Sequence, residues 1–234
     1  MPRPCQTGRG GAFCFAVFPL RCHQIRKGPK LDGGRLSRKD GYTDMLHHLG
    51  TETLYTPRLI LRRFCLEDAA MMYEQWARDP AVTRYMTWDA HRSVADTRDI
   101  LSAWVPQYAE PAYYNWAVVW QGTVIGGISV TVRKDAQNSC EVGYCLGKAY
   151  WNQGIMTEAL TAVLDFLFGK VGYHRVSAVH DGANVASGRV MRKAGMREEG
   201  TLREAHLRRD GSYADIKCYA ILYPEWKRRV LARG

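Results

Sequence analysis

Residues Cys145 to Leu160 read "CLGKAYWNQGIMTEAL", and two different periods meet inside them. Upstream, "CEVGYCLG" (Cys140–Gly147) has the content of a strand. Downstream, Ile155, Ala159, Leu160, Val163, Leu164, Leu167 and Phe168 recur at steps of three and four, with Glu158, Thr161 and Asp165 facing away. That spacing predicts a long amphipathic helix. Gly154 stands at its head. One reading is a plain loop-to-helix entry. The other is a helix start left bare, whose first-turn N–H groups and dipole favour a phosphate. Neither G-x-G-x-x-G nor G-x-x-x-x-G-K-[ST] occurs in the stretch, so any phosphate there is held mostly by backbone.

On the N-terminal side, "LYTPRLILRRF" (Leu54–Phe64) reads as a first strand and "LEDAAMMYEQWARD" as an amphipathic helix broken at Asp79-Pro80. "SVAD" (Ser93–Asp96) resembles a capping box opening a second helix to about Tyr108. "YYNWAVVW" and "TVIGGISVTVR", joined at Gln121-Gly122, predict an antiparallel hairpin. On the C-terminal side come the strand "YHRVSAVH" and a shorter helix from Asn184 that stops at Gly195. Two strands follow around Asp210-Gly211, and "EWKRRVLAR" reads as a solvated basic tail. The order β-α-α-β-β-β-α-β-α-β-β predicts an α/β fold with a mixed sheet covered on both faces.

The chain has 234 residues, 46% hydrophobic and 24% charged, an ordinary globular mixture with room for one core. No window approaches the ~20 apolar residues of a membrane span. "AFCFAVFPL" (Ala12–Leu20) is short for a signal core and lacks a cleavage site after it, so a cytoplasmic protein is expected. The net charge is +10, of which residues 1–44 carry +6 through nine Lys/Arg against three acids. Residues 1–50 therefore read as a basic leader, disordered by composition, ahead of one domain over 51–230; Met45 is an alternative start. Seven cysteines show neither CxxC nor a paired ligand spacing, so reduced thiols are expected, with no disulfide framework and no metal.

"EVGYCLGKAYWNQGIMTEAL", followed about 25 residues later by "NVASGRVMRKAGMREEGTLRE", resembles the GNAT superfamily of acyl-CoA-dependent acetyltransferases. "TPRLILRRF" and "YAILYPEW" fit its RimJ/RimL-type branch, which contains ribosomal-protein N-terminal acetyltransferases. The resemblance covers roughly Thr51 to Arg228 and implies a mostly antiparallel sheet of about seven strands with about four flanking helices. It implies a splay of the Glu141–Leu146 strand from "YHRVSAVH" that opens edge groups to a pantetheine arm, through a bulge that Gly143 or Gly147 would permit. The phosphate-loop pattern Q/R-x-x-G-x-G/A falls on Trp151 to Met156; Gly154 matches, while Trp151 and Met156 depart from the consensus. By resemblance, the amides of Gln153, Gly154, Ile155, Met156 and Thr157 hold the coenzyme A pyrophosphate, and Gly154 lets it come close.

The implied chemistry is direct transfer from acetyl-CoA to a primary amine. An α-amine (pKa about 8) or lysine amine (about 10.4) arrives protonated and must lose a proton before it attacks the thioester. Glu141, the carboxylate of "E-x-G-Y", is the candidate base through water; the alternative is a strand-end carboxylate paired with an arginine. For the acid, the pattern N-x-x-A-x-x-L-Y from Asn184 puts Met191 at the tyrosine place, and a thioether donates no proton. Ser187 is the candidate donor to the departing sulfur, with helix entry as its other reading, and Asn184 both caps and contacts the cofactor. Cys145 lacks a His or Asp partner for acyl-enzyme chemistry, His180 reads more readily as a core or surface histidine, and Tyr144, Trp116 and Trp151 as core or pocket wall.

The acceptor expected is the N-terminal α-amine of a ribosomal protein. A polyamine or antibiotic amine is the alternative, for which Glu67, Asp68, Asp89, Asp96, Asp99 and Glu110 would supply acids. A non-catalytic acyl-CoA- or RNA-binding protein is the alternative of another class. Expected partners are acetyl-CoA and the amine, with ribosome association and a homodimer left open.

Overall fold

A computed structural model describes residues 46–233. Of the predicted leader over 1–50, residues 1–45, with the alternative start at Met45, lie outside the described residues. Residues 46–50 pack on the domain, with His47 N donating to Val171 O and Gly50 N to Pro111 O.

Eight strands form one sheet: β1 (Leu54–Tyr55), β2 (Leu59–Arg62), β3 (Asn115–Trp120), β4 (Thr123–Lys134), β5 (Ser139–Leu146), β6 (Arg175–Asp181), β7 (Arg197–Leu207) and β8 (Tyr213–Leu222). Their order is β1-β2-β3-β4-β5-β6-β8-β7, and every pairing is antiparallel except β5 with β6. Six α-helices accompany them among the described residues: α1 (Ala69–Met72), α2 (Pro80–Thr83), α3 (Val94–Trp104), α4 (Ile155–Phe166), α5 (Val185–Ala194) and α6 (Tyr223–Leu231). One sheet face packs on α4 and α5 through Trp116, Ile128, Val142, Leu160, Val163, Val176 and Met191. The other packs on α1–α3 through Phe64, Met72, Trp76, Leu101, Val119 and Cys145.

The α/β fold with its mixed, mostly antiparallel sheet is the one the sequence predicts; its counts differ in places where local chemistry decides. The first strand is two, because Thr56-Pro57-Arg58 turns the chain and Thr56 N returns to Leu59 O. Asp79-Pro80 ends one helix and starts another: the Asp79 side chain accepts from Ala81 N and Pro80 takes the first helical position, where its missing N–H costs nothing. The predicted basic tail is α6, opened by Pro224 and closed at its start by Glu225 Oε2 accepting from Leu222 N at 3.0 Å. Its Trp226 stacks on Phe168 and donates to Asp165 Oδ1. Gln121 and Gly122 both take positive φ, as a two-residue hairpin requires.

Candidate active site

The parallel neighbours β5 and β6 pair only at Ser139–Arg175, Cys140–Val176 and Glu141–Ser177. Beyond Glu141 they separate, and residues 142–146 of β5 face a gap. The predicted splay is therefore present, with its bulge on the neighbouring strand rather than at Gly143 or Gly147. The register of β4 against β5 slips between Val130 and Val132. Thr131 is the extra residue, and its hydroxyl donates to Glu141 O at 3.0 Å. Gly143 keeps regular register with Ser129. An inserted residue bends the strand that carries it and increases its twist, which turns β5 away from β6.

A cleft of about 480 Å³ occupies the gap, walled by β5, β6, the loop into α4, the first turns of α5 and Val82, Tyr85 and Met86 from the α2 region. Gly154 caps α4 with φ +75°, a left-handed conformation that favours glycine. Having no side chain, it leaves the first-turn amides of Ile155, Met156 and Thr157 uncapped at the cleft. Asn152 is also left-handed, with φ +61°. Gln153 does not line the cleft; its side chain turns back to Ala149 O.

Arg58 braces this loop from behind, a part that sequence reasoning missed. Its Nη1 donates to Gln153 O at 3.0 Å, and its Nε meets Glu158 Oε2 at 2.7 Å. Burial would raise the Glu158 carboxyl, but bonds from the Thr56 hydroxyl and Arg58 outweigh it and hold the group below its usual range. The signal was the "TPR" ahead of the first strand, readable only once its distance from Glu158 is closed.

Ser187 and Asn184 lie together on the cleft. Asn184 is the N-cap of α5, its side chain accepting from Ser187 N. The Ser187 hydroxyl takes no part in that cap; it lies 3.0 Å from the hydroxyl of Tyr144 on β5, which also donates to Ser187 O at 3.0 Å. Met191, at the place of the missing tyrosine, is buried core that touches the cleft.

Glu141 does not line the cleft. It is the last β5 residue paired to β6, at the vertex of the fork, and strand alternation puts it on the sheet face opposite Val142 and Tyr144. Burial raises its carboxyl above the usual range, partly offset by Lys134. Cys145 does line the cleft, but burial lifts its thiol to about 12, which keeps it protonated and a poor nucleophile.

His180 is 8% exposed and lines the cleft. Its Nδ1 sits 2.7 Å from Asp181 O and therefore carries the proton, leaving Nε2 as a buried acceptor with no partner among the described residues. Burial lowers its pKa and keeps the ring neutral. Next to it, Asp181 is buried and holds Arg208 through two bonds of 2.7 and 2.8 Å, tying the β7–β8 hairpin to the end of β6. Arg209 reaches Thr83 O and Asp89 on the opposite wall. Among the described residues no His, Cys, Asp and Glu group is arranged to hold a metal ion.

A sheet split at its parallel pair, with a bare helix start set in the gap, is the frame of the acetyltransferases that work on acyl-CoA thioesters. The chain belongs to the acetyltransferase (GNAT) domain family, whose profile matches residues 58–197, and it is a GNAT N-acetyltransferase of RimJ/RimL type. It is 29% identical over 177 residues to the uncharacterized N-acetyltransferase p20 of Bacillus licheniformis, covering 75% of this chain and 98% of p20. A shorter match, 30% over 89 residues (38% of this chain, 45% of the other), reaches the ribosomal protein uS5-alanine N-acetyltransferase of Escherichia coli. A GNAT-family acetyltransferase of Bacillus anthracis superposes with TM-score 0.64 at 26% identity, over 74% of this chain and 99% of that one. RimL, the ribosomal L7/L12 α-N-protein acetyltransferase solved with coenzyme A, shares the fold at TM-score 0.67 and 20% identity, over 73% and 98%.

No helix among the described residues is long and apolar enough to cross a membrane.

Proposed function

We propose that this protein moves the acetyl group of acetyl-CoA directly to the N-terminal α-amine of a protein, with a ribosomal protein as the favoured acceptor. The observation that carries the reading is the uncapped α4 start opening on the β5–β6 fork. The amides of Gly154, Ile155, Met156 and Thr157, which line the cleft, meet the pyrophosphate, where the helix dipole favours negative charge; Gln153, set back from the cleft, holds the loop through its carbonyl bond to Arg58. Asn184 steadies the first turn of α5 beside the pantetheine arm.

Water at the vertex carries the ammonium proton to Glu141, whose burial lifts its pKa toward the working pH of a base. The nitrogen lone pair then attacks the thioester carbon, and positioning the two reactants together removes the need for a covalent intermediate. Ser187 donates a hydrogen bond to the departing sulfur.

The largely apolar wall of Val82 on α2 and of Tyr85 and Met86 just after it favours an acceptor flanked by apolar groups. Three of the six acids a polyamine would use are engaged in ion pairs: Asp68 with Arg62, Asp89 with Arg209 and Asp96 with Arg92. The likeness to enzymes named for ribosomal-protein acetylation supports the same acceptor class.

Thiol release from acetyl-CoA, measured across free and N-blocked peptides, ribosomal proteins, polyamines and aminoglycosides, tests this. Turnover on free N-termini that is lost on blocking is expected. Turnover on polyamines or aminoglycosides alone would replace the acceptor, and the absence of any calorimetric signal with acetyl-CoA at millimolar concentration would end the reading.

A further inference from the structure

We propose that Tyr144 is the positioning residue for the leaving-thiol donor: its hydroxyl bonds Ser187 Oγ across the open half of the fork and aims the serine proton at the sulfur. The inference rests on the donor role given above to Ser187.

Tyr144 lies past Glu141, where β5 has lost its β6 partner, on the face turned to α4 and α5. Its hydroxyl therefore reaches α5 and sits 3.0 Å from both Ser187 O and Ser187 Oγ. A serine in the first turn of a helix ordinarily turns its hydroxyl to nearby backbone. Here Asn184 already satisfies the Ser187 N–H, and Tyr144 holds the hydroxyl instead. Both residues line the cleft.

One phenolic proton cannot fully serve two acceptors, so two arrangements exist without any heavy atom moving. In the first, Tyr144 donates to Ser187 O and the serine proton turns to the phenol oxygen. In the second, Tyr144 donates to Ser187 Oγ and the serine proton faces the cleft. A hydrogen bond to an anion is roughly twice as strong as one between neutral groups, so developing negative charge on sulfur selects the second. Burial pushes the Tyr144 phenol well up, so it stays protonated throughout.

The ammonium loses its first proton through water to Glu141 before the attack; the C–N bond then forms from the freed lone pair, the C–S bond breaks with its electron pair going to sulfur, and the second nitrogen proton leaves to water as the amide forms. The serine proton stays on oxygen, stabilising the thiolate by hydrogen bonding, and the thiolate takes its own proton from water on release. Tyr144 neither gains nor loses one.

Two residues acting as one unit give non-additive losses. Steady-state kinetics on Tyr144→Phe, Ser187→Ala and the double variant therefore tests the pair, with a melting midpoint within about 5 °C of wild type as evidence of folding. We expect kcat to fall about 100-fold in Ser187→Ala and about tenfold in Tyr144→Phe, with KM for acetyl-CoA within about twofold. The double variant should match Ser187→Ala, and Ser187→Thr, which keeps a hydroxyl, should recover part of the loss. An impaired Ser187→Ala beside a normal Tyr144→Phe overturns the positioning role alone, as does a double variant whose losses multiply. A fully active Ser187→Ala overturns the donor assignment together with the pair. If Tyr144→Phe does not fold, Ser187→Thr decides: a variant no better than Ser187→Ala overturns the pair.

Discussion

Arg58 and Glu158 meet at 2.7 Å although one hundred residues separate them in the chain, and the same guanidinium bonds Gln153 O. This pair ties the first turn of α4 and the loop before it to the start of β2. A bare helix start binds an anion well only if its amides already converge, and the brace supplies that order.

Arg58→Ala should therefore weaken cofactor binding more than it weakens the fold. The Arg58 side chain is 42% exposed, and an exposed ion pair contributes at most about 1 kcal/mol. KM for acetyl-CoA is expected to rise about threefold to tenfold, with kcat nearly kept and the melting midpoint little changed. Calorimetry with coenzyme A gives the matching change in Kd. An unaltered Kd would show that the brace is irrelevant to the ligand.

Glu141→Gln tests the base and carries a signed pH dependence. Turnover should drop about 100-fold with acetyl-CoA affinity intact. Burial raises the folded pKa of Glu141 above its unfolded value of about 4.3, so between the two the folded chain binds more protons than the unfolded one. The resulting stability is present below the unfolded pKa and is lost as pH rises through the folded pKa. Relative to wild type, Glu141→Gln should melt higher at pH 7 than it does at pH 4. The opposite trend in paired melting curves would contradict the burial of that carboxyl.

Gly188 is fixed by His180. A Cβ at residue 188 would stand 2.7 Å from His180 Nε2 and 3.2 Å from Tyr219 Oη, inside a turn of α5 that is buried there. Gly188→Ala should destabilise by about 1–3 kcal/mol despite the better helix propensity of alanine. Adding His180→Ala should return much of that loss, because it removes the nearer clash. Thermal melts of the two single variants and the double variant measure the coupling; strictly additive shifts would mean that the imidazole does not press on α5.

The sequence was informative wherever one physical signal dominated a short span. The three-and-four spacing after Gly154 specified α4, Gln121-Gly122 specified a hairpin, and Gly195 stopped α5 with φ +98°. It was misleading where a breaker has two uses. Pro80 and Pro224 each begin a helix, and which role a proline takes depends on whether the preceding residues supply a cap.

The site divides along the same line. Gly154 and Asn184 were legible because their roles belong to their own helix ends. Partners across the fold were not: Tyr144 with Ser187, Arg58 with Gln153 and Glu158, and Arg208 with Asp181 join residues 27 to 100 positions apart. The bulge at Thr131 that accompanies the fork leaves no mark in β5 itself. By itself the sequence determined the helix and strand periods and the family they belong to, since local backbone preference acts within a few residues. Only the tertiary structure decided which hydroxyl faces which, because that depends on where β5 parts from β6 and on which side chains the gap then brings within 3 Å.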